Sequence, residues 1–318
     1  MKKALKFSGI TIVILVLVVV GFAIFINAKG IPSYAVEEVH FKVESSPESI
    51  ARGKTLATML CAGCHLSNDT RKLSGKFMAD VPKEFGTIYS PNITQHKESR
   101  IAEYTDGELV YLLRTGIKRN GQYAPPYMAK LPNMADEDVN AIISFLRSSD
   151  PLVAADPAPS KQIEESFLTK ALCYLVFKPF PLPEHTISMP DTNNAVELGR
   201  YLVHNLDCYT CHSADFKTNN YLDPPLSEGY LGWGNQTLNL DGEVVVTQNL
   251  TAHGTGIGNW TKEQFIRVVR SGQKEGEEVL RYPMMPYSLL SEYEAGAIYE
   301  YLMTVPPIDN SVTRSVLN

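Results

Sequence analysis

The chain has 318 residues, 44% of them apolar and 20% charged, with a net charge of −6. Its first 30 residues hold four lysines and no acid, so the remainder carries −10. That balance argues against nucleic acid or an anionic membrane surface as an electrostatic partner and fits a basic or locally basic protein.

In chain order, residues 9–26 (GITIVILVLVVVGFAIFI) contain a single polar side chain, Thr11. As a helix these 18 residues rise about 27 Å, close to the hydrocarbon thickness of a bilayer. Lys2, Lys3 and Lys6 precede the run and are expected to stay in the cytoplasm. Residues 1–30 are therefore expected to be an uncleaved transmembrane anchor. The rest is placed on the periplasmic side of a bacterial inner membrane, with a single crossing. The alternative is a cleaved signal peptide, for which Ser33-Tyr34-Ala35 offers a small-x-small site.

An amphipathic stretch, ARGKTLATML, leads into CAGCH at 61–65, and a second, ELGRYLVHNLD, into CYTCH at 208–212. The two motifs lie 147 residues apart, too far for a compact zinc ribbon, and neither sits in the strand-to-helix setting of a thioredoxin-type CxxC. CxxCH is the attachment sequence of c-type haem. Two thiols a helical turn apart add to the porphyrin vinyl groups, and the following imidazole meets the iron. Cys61, Cys64 and His65 make one such set, and Cys208, Cys211 and His212 the other, which implies two covalently bound haem c groups with iron. Of the five cysteines only Cys173 is left over.

The surroundings of the motifs repeat. Gly53 and Leu56 match Gly199 and Leu202, and SPNITQH (90–96) matches TQNLTAH (247–253). EYTDGELVYLLRTG (103–116) matches NWTKEQFIRVVRSG (259–272), and residues 136–148 match 291–304. Thr105-x-x-Glu108 and Thr261-x-x-Gln264 predict capping boxes. Tyr104 with Leu109, and Trp260 with Phe265, stand at staple positions, and Gly116 and Gly272 close these middle helices. The last helix of each copy carries an apolar stripe: Val139, Ile142, Ile143 and Leu146, then Ala297, Ile298, Tyr301 and Leu302. Ser291-x-x-Glu294 caps the second. Between the copies a proline-rich linker holds KQIEESFLTKALCYLVFK (161–178), which predicts an amphipathic helix with Cys173 packed as an inert thiol at the domain interface. The boundaries expected are 31–152 for domain 1, 153–190 for the linker and 191–318 for domain 2.

A helix ending in CxxCH, a loop, a middle helix, a second loop and a closing helix resembles the class I cytochrome c fold. The fold class expected is mainly α: two tandem class I cytochrome c domains behind a transmembrane helix. In that fold a methionine before the closing helix reaches the iron, which implies Met285 for the second copy and Met128 for the first. Met134 and Met284 are weaker candidates, and His96 and His253 are the bis-histidine alternative. The pattern N-[IL]-T, G-x-[WY]-[TS], R-x-G and M-P-Y also resembles exported c-type cytochromes similar to the cytochrome subunits of membrane-bound dehydrogenases, over roughly residues 48–148 and 192–305. The second copy has Asn249-Leu-Thr251, Gly258-Asn-Trp260-Thr261, Arg270-Ser-Gly272 and Met285-Pro-Tyr287. The first departs, with Ala102 where the glycine belongs and Pro125 where the methionine aligns. Asn92, Thr94 and Arg114, with Asn249, Thr251 and Arg270, are candidate contacts for the haem propionates. The alternative for them is loop capping and a solvated helix face. The resemblance implies electron carriage, with no catalytic residues; it does not by itself imply a dehydrogenase partner. The function expected is electron transfer between a membrane or exported redox enzyme, a dehydrogenase or oxidase, and an acceptor. The other reading is a dihaem peroxidase-like enzyme with an open iron site in domain 1.

Overall fold

The structure, a computed structural model, describes residues 2–273, 280 and 282–312. Helix α1 (Lys2–Lys29) contains the apolar run. Its segment Phe7–Lys29 is long and apolar enough to cross a membrane.

The first half of the body is built on α2 (Pro47–Leu60), α3 (Ala62–His65), α4 (Asp106–Thr115) and α5 (Asp136–Leu146). A short α6 (Phe167–Leu175) follows. The second half repeats the order with α7 (Ala195–Asn205), α8 (Cys208–His212), α9 (Lys262–Ser271) and α10 (Glu292–Leu302). The helix starts form where the sequence places them. The amide of Glu108 donates to Thr105 Oγ1 at 3.2 Å while Glu108 Oε2 accepts the Thr105 amide at 2.8 Å. Gln264 and Thr261 exchange the same pair at 3.2 and 2.9 Å, and Glu294 and Ser291 at 3.1 and 2.9 Å. Each pair satisfies amides that the first turn leaves without helical partners. Gly116 and Gly272 end α4 and α9 in the left-handed region, at φ 82° and 75°.

In each half the first and last helices cross, α2 over α5 and α7 over α10. The crossing is set by one glycine. A Cβ on Gly53 would lie 1.8 Å from the carbonyl oxygen of Ala141, and one on Gly199 1.9 Å from that of Ala297. Backbone meets backbone there, and the stripes Val139, Ile142, Ile143, Leu146 and Ala297, Ile298, Tyr301, Leu302 are buried behind it. The apolar core runs without a break from one half into the other. At the seam Tyr201 of α7 donates its hydroxyl to Asp138 of α5 at 2.7 Å and accepts the amide of Ala135 at 3.1 Å. Arg52 of α2 binds Asp138 and, across the seam, Glu294 of α10.

Two local expectations change. The linker helix forms over Phe167–Leu175 rather than 161–178. Ser166 caps it by accepting the Thr169 amide, and just upstream Glu164–Glu165 (β2) pairs antiparallel with Gly86–Thr87 (β1). Cys173 is fully buried, but in a small cluster with Ile31 and Tyr123 rather than between the halves. A hairpin, β3 (Gln236–Leu238) with β4 (Val244–Val246), lies in the loop after CYTCH. Its signal was the Asp241-Gly242 pair, with Gly242 at φ 79°.

Candidate functional site

Both CxxCH segments are single helical turns. In the first, the carbonyl of Cys61 accepts the amides of Cys64 at 3.1 Å and His65 at 2.8 Å, so both thiols and the imidazole leave one turn. In the second, Asp207 turns the chain at φ 65° and opens α8. The imidazoles are held alike. His65 Nδ1 lies 2.8 Å from the carbonyl of Pro91, and His212 Nδ1 2.7 Å from that of Gln248. A carbonyl only accepts, so Nδ1 carries the hydrogen and Nε2 keeps the lone pair that an iron ligand needs. Burial lowers the pKa of both histidines, against the opposing effect of the carbonyl bond, and keeps them neutral.

The backbone of the motif is pinned in the same way twice. Ser90 donates its hydroxyl to the carbonyl of Cys64 at 2.6 Å, and Thr247 to that of Cys211 at 2.7 Å. Sequence reasoning found these segments as repeats but missed the roles of Ser90, Thr247 and the carbonyls of Pro91 and Gln248. Backbone acceptors leave no residue-type signal, and a serine matched to a threonine was the only clue.

Burial holds all four thiols of the motifs above their ordinary range. Desolvation by burial, with the neighbouring Cys64, pushes Cys61 up to about 12. Burial and then Asp80 push Cys64 up to about 11. Burial, reinforced by Asp207, pushes Cys208 and Cys211 to about 12. Reactive CxxC thiols are shifted the other way. Among the described residues no cluster of three His, Cys, Asp or Glu side chains is placed to hold a metal. What the chain provides twice is a neutral thiol pair followed by an imidazole with a free Nε2. That donor set fits covalent haem.

The candidate propionate residues are engaged with protein. Thr94 donates its amide and hydroxyl to Asn92 Oδ1 at 2.9 and 2.7 Å, and Thr251 does the same to Asn249 at 2.9 and 2.7 Å. Asn92 Nδ2 donates to the carbonyls of Asp156 at 2.9 Å and Ala158 at 3.0 Å; Asn249 Nδ2 donates to that of Ile308 at 2.8 Å. Each asparagine thus ties its loop to the strap after the closing helix. Arg114, fully buried, donates to the carbonyls of Leu131, Pro132 and Met134 and pairs with Asp136. Arg270 Nε donates to the carbonyl of Leu290 at 2.8 Å, and Nη1 reaches Glu292 at 3.3 Å. Both arginines brace the entry to a closing helix. His96 accepts the Glu98 amide at 3.3 Å, and His253 Nδ1 lies 2.9 Å from the Thr255 hydroxyl.

Of the methionines, Met134 is fully buried in the common core, Met128 and Met284 are half-buried, and Met285 is exposed. The two motifs also share a neighbourhood. Asp80, in the loop after CAGCH, raises the pKa of both Cys64 and Cys211. Tyr282, in the loop before α10, donates its hydroxyl to Asp80. Burial and then Asp80 raise its pKa, and Cys64 and Cys211 both add to the rise.

The family model for cytochrome c matches residues 50–150, which take in most of α2 and all of CAGCH, α4 and α5. This segment is a cytochrome c domain, and such a domain implies covalently bound haem c with its iron. Similarity to curated proteins extends over both halves. The chain is 30% identical over 276 residues to the fructose dehydrogenase cytochrome subunit of Gluconobacter japonicus, covering 81% of this chain and 53% of that protein. It is 25% identical over 293 residues to the cytochrome c subunit of the quinone alcohol dehydrogenase of Gluconobacter oxydans (strain 621H), covering 85% and 59%. With the gluconate 2-dehydrogenase cytochrome c subunit of Pantoea cypripedii it shares 27% over 278 residues, covering 83% and 61%. The chain therefore spans little more than half the length of these relatives. All three of these relatives are cytochrome subunits of dehydrogenases.

Proposed function

We propose that the chain is a membrane-tethered dihaem c-type cytochrome that transfers electrons between a dehydrogenase and an acceptor, with one class I cytochrome c domain in each half. The observation that carries the reading is the duplicated setting of CAGCH and CYTCH. Each has a glycine crossing, an imidazole bound to a carbonyl and a hydroxyl on the carbonyl of the second cysteine, in the same order. A haem held on each set supplies a one-electron couple, and histidine–methionine ligation sets it at a high potential. The chain's own part is to fix the imidazoles through Pro91 and Gln248 and to keep them neutral by burial. Met128 and Met285 are the proposed distal ligands. Arg114 and Arg270 hold the loops that deliver them. Asp80 and Tyr282 place the two sites against one another, which favours exchange of electrons between the halves.

Retention of the anchor has its own support. Ile26 and Ile31 are buried, the Tyr34 amide donates to Gly121 at 2.8 Å, and the Tyr123 amide donates to Pro32 at 3.0 Å. Cleavage after Ala35 would strip these partners from domain 1. The partner is proposed as a dehydrogenase by likeness to the relatives, with the soluble body on the periplasmic side of the inner membrane.

The test is intact-mass analysis with optical and EPR spectra of the purified chain. Two covalent haems and two low-spin centres are expected, with one haem left when Cys208 and Cys211 are both replaced by alanine. A single haem in the parent chain refutes the dihaem reading. A high-spin ferric centre with hydrogen peroxide turnover gives the peroxidase-like reading instead.

A further inference from the structure

Helix α6 carries its apolar side chains on the wrong face for a water-exposed helix. Its inward face is Thr169 and Cys173, both buried. Leu168, Ala171 and Leu175, at i, i+3 and i+7, lie on the opposite side of the helical wheel. Phe167, Leu168, Leu175 and Val176 are 49%, 44%, 63% and 62% exposed. A contiguous exposed apolar face of this kind marks a surface that is covered in the working protein.

What covers it is indicated by α1. The ring of Phe25, next to the end of the apolar run 9–26, meets the ring of Tyr174 edge-on at 5.6 Å between centroids. Ile26 is fully buried where α1 leaves the run. Tyr174 directly precedes Leu175 and Val176, so this end of α6 is docked at the level where α1 emerges from its apolar span. Lys29 ends α1, and Lys170 and Lys178 lie on and just after α6. Tyrosine and lysine are the side chains that settle at the boundary between hydrocarbon and headgroups. The acidic body gives no general electrostatic attraction to lipid, so the contact is apolar insertion with a local basic rim.

We propose that the outward face of α6, with Phe167, Leu168 and Leu175, together with Val176 at its C-terminal cap, lies in the outer surface of the bilayer that α1 crosses, as an interfacial helix. The inference rests on the reading of α1 as a retained anchor. Its consequence is orientation. A single spanning helix leaves the body free to swing, whereas a second contact at α6 fixes how the two CxxCH sites face a partner.

The experiment uses the full chain in liposomes of phosphatidylethanolamine and phosphatidylglycerol. A p-benzoylphenylalanine photocrosslinker replaces Leu175, or Leu168, or Val20 within α1, or Leu226, which is 69% exposed in the second half. Lipid adducts at 175, 168 and 20, and none at 226, are expected from mass spectrometry. In the Leu175→Glu, Val176→Glu background the adduct at 168 is expected to fall at least tenfold. Adducts at 20 without any at 175 and 168 overturn the proposal and leave the anchor standing. So does crosslinking of 175 to a second copy of the chain in place of lipid. Absence of lipid adducts at 20 overturns the anchor reading, and the proposal with it.

Discussion

Arg52 of α2 places Nη1 2.6 Å from the carboxylate of Glu294 in the other half of the chain. The same guanidinium grips Asp138 through Nε and Nη2 at 2.8 and 2.9 Å. Asp138 stands three residues before Ala141 and Glu294 three residues before Ala297, the two carbonyls met by Gly53 and Gly199. One arginine therefore joins equivalent positions of the two closing helices. Asp138 is almost fully buried, and among the described residues removing its cation leaves the carboxylate with the Tyr201 hydroxyl as its side-chain partner. Breaking a buried pair by deleting one partner costs roughly 3–5 kcal/mol. Arg52→Ala is expected to lower the stability of the full chain toward that figure in denaturant titration, while Glu294→Gln, at the better-hydrated end, costs under about 1 kcal/mol. Equal losses from the two would show that the seam is not held as described.

The glycine crossings allow a paired comparison. Gly53→Ala and Gly199→Ala each drive a methyl group into a backbone carbonyl, which has no rotamer to yield. Overpacking against side chains costs about 1–3 kcal/mol; here the upper end or beyond is expected for each. The readout is thermal unfolding together with the yield of haem-loaded chain. Gly254→Ala, whose added Cβ would meet only Asn259 Nδ2 at an ordinary 3.8 Å, is the neutral control.

The order of helices, their caps and their buried stripes were legible because each rests on local chemistry. Thr105 with Glu108, or Gly116 in the left-handed region, needs no distant partner. The CxxCH sets were legible for the same reason. Relations between distant segments were not. Nothing in the sequence marked Pro91 and Gln248 as carbonyl acceptors, Arg52 as a bridge between halves, or Asp80 as a neighbour of both second cysteines. The shortened α6 belongs to the same class, since the pairing of Glu164–Glu165 with Gly86–Thr87 that precedes it is non-local. Its exposed apolar face departs from the rule that apolar stripes turn inward, which holds only for a helix surrounded by water on its other side.

The distal ligands are separable by their different failures. Met285→Ala and Met128→Ala are each expected to remove the sulfur-to-iron charge-transfer band of one centre and lower one midpoint potential, because thioether ligation raises it. Met134→Ala removes a fully buried side chain from the common core. It should cost roughly 2–5 kcal/mol of stability with both potentials retained. A lost band in Met134→Ala, with none lost in Met128→Ala, would reassign the ligand of the first site.

Asp80 acts on thiols of both motifs, so its charge should be felt by both centres. A carboxylate favours the oxidised, more positive form of each. Asp80→Asn is expected to raise both midpoint potentials in one direction, by an energy on the order of 1 kcal/mol each. Tyr282→Phe keeps the charge and removes the hydroxyl, so it should slow exchange between the centres more than it moves either potential. Potentiometric titration and flash-induced electron transfer separate the two effects. A shift confined to one centre in Asp80→Asn would place the carboxylate in a single site.

His204 contributes to the acid limb of stability. Its Nε2 lies 2.7 Å from the hydroxyl of Tyr230, which in turn lies 2.9 Å from that of Tyr301. Burial, helped by Arg200, lowers its pKa from 6.5 to about 4. The unfolded chain takes up a proton near 6.5, and the folded chain does not until about pH 4. Stability tied to this group is therefore complete above about 6.5 and is lost as pH falls toward 4. The loss is capped at about 1.4 kcal/mol for each pH unit crossed in that interval, less what residual solvent screens. His204→Gln removes the titration while keeping a polar group beside Tyr230. Its unfolding free energy is expected to change less than that of the parent chain between pH 6.5 and about 4, with the curves converging at the acid end. Parallel curves over that interval would mean that His204 is protonated in the folded protein and that its contact with Tyr230 does not hold it neutral.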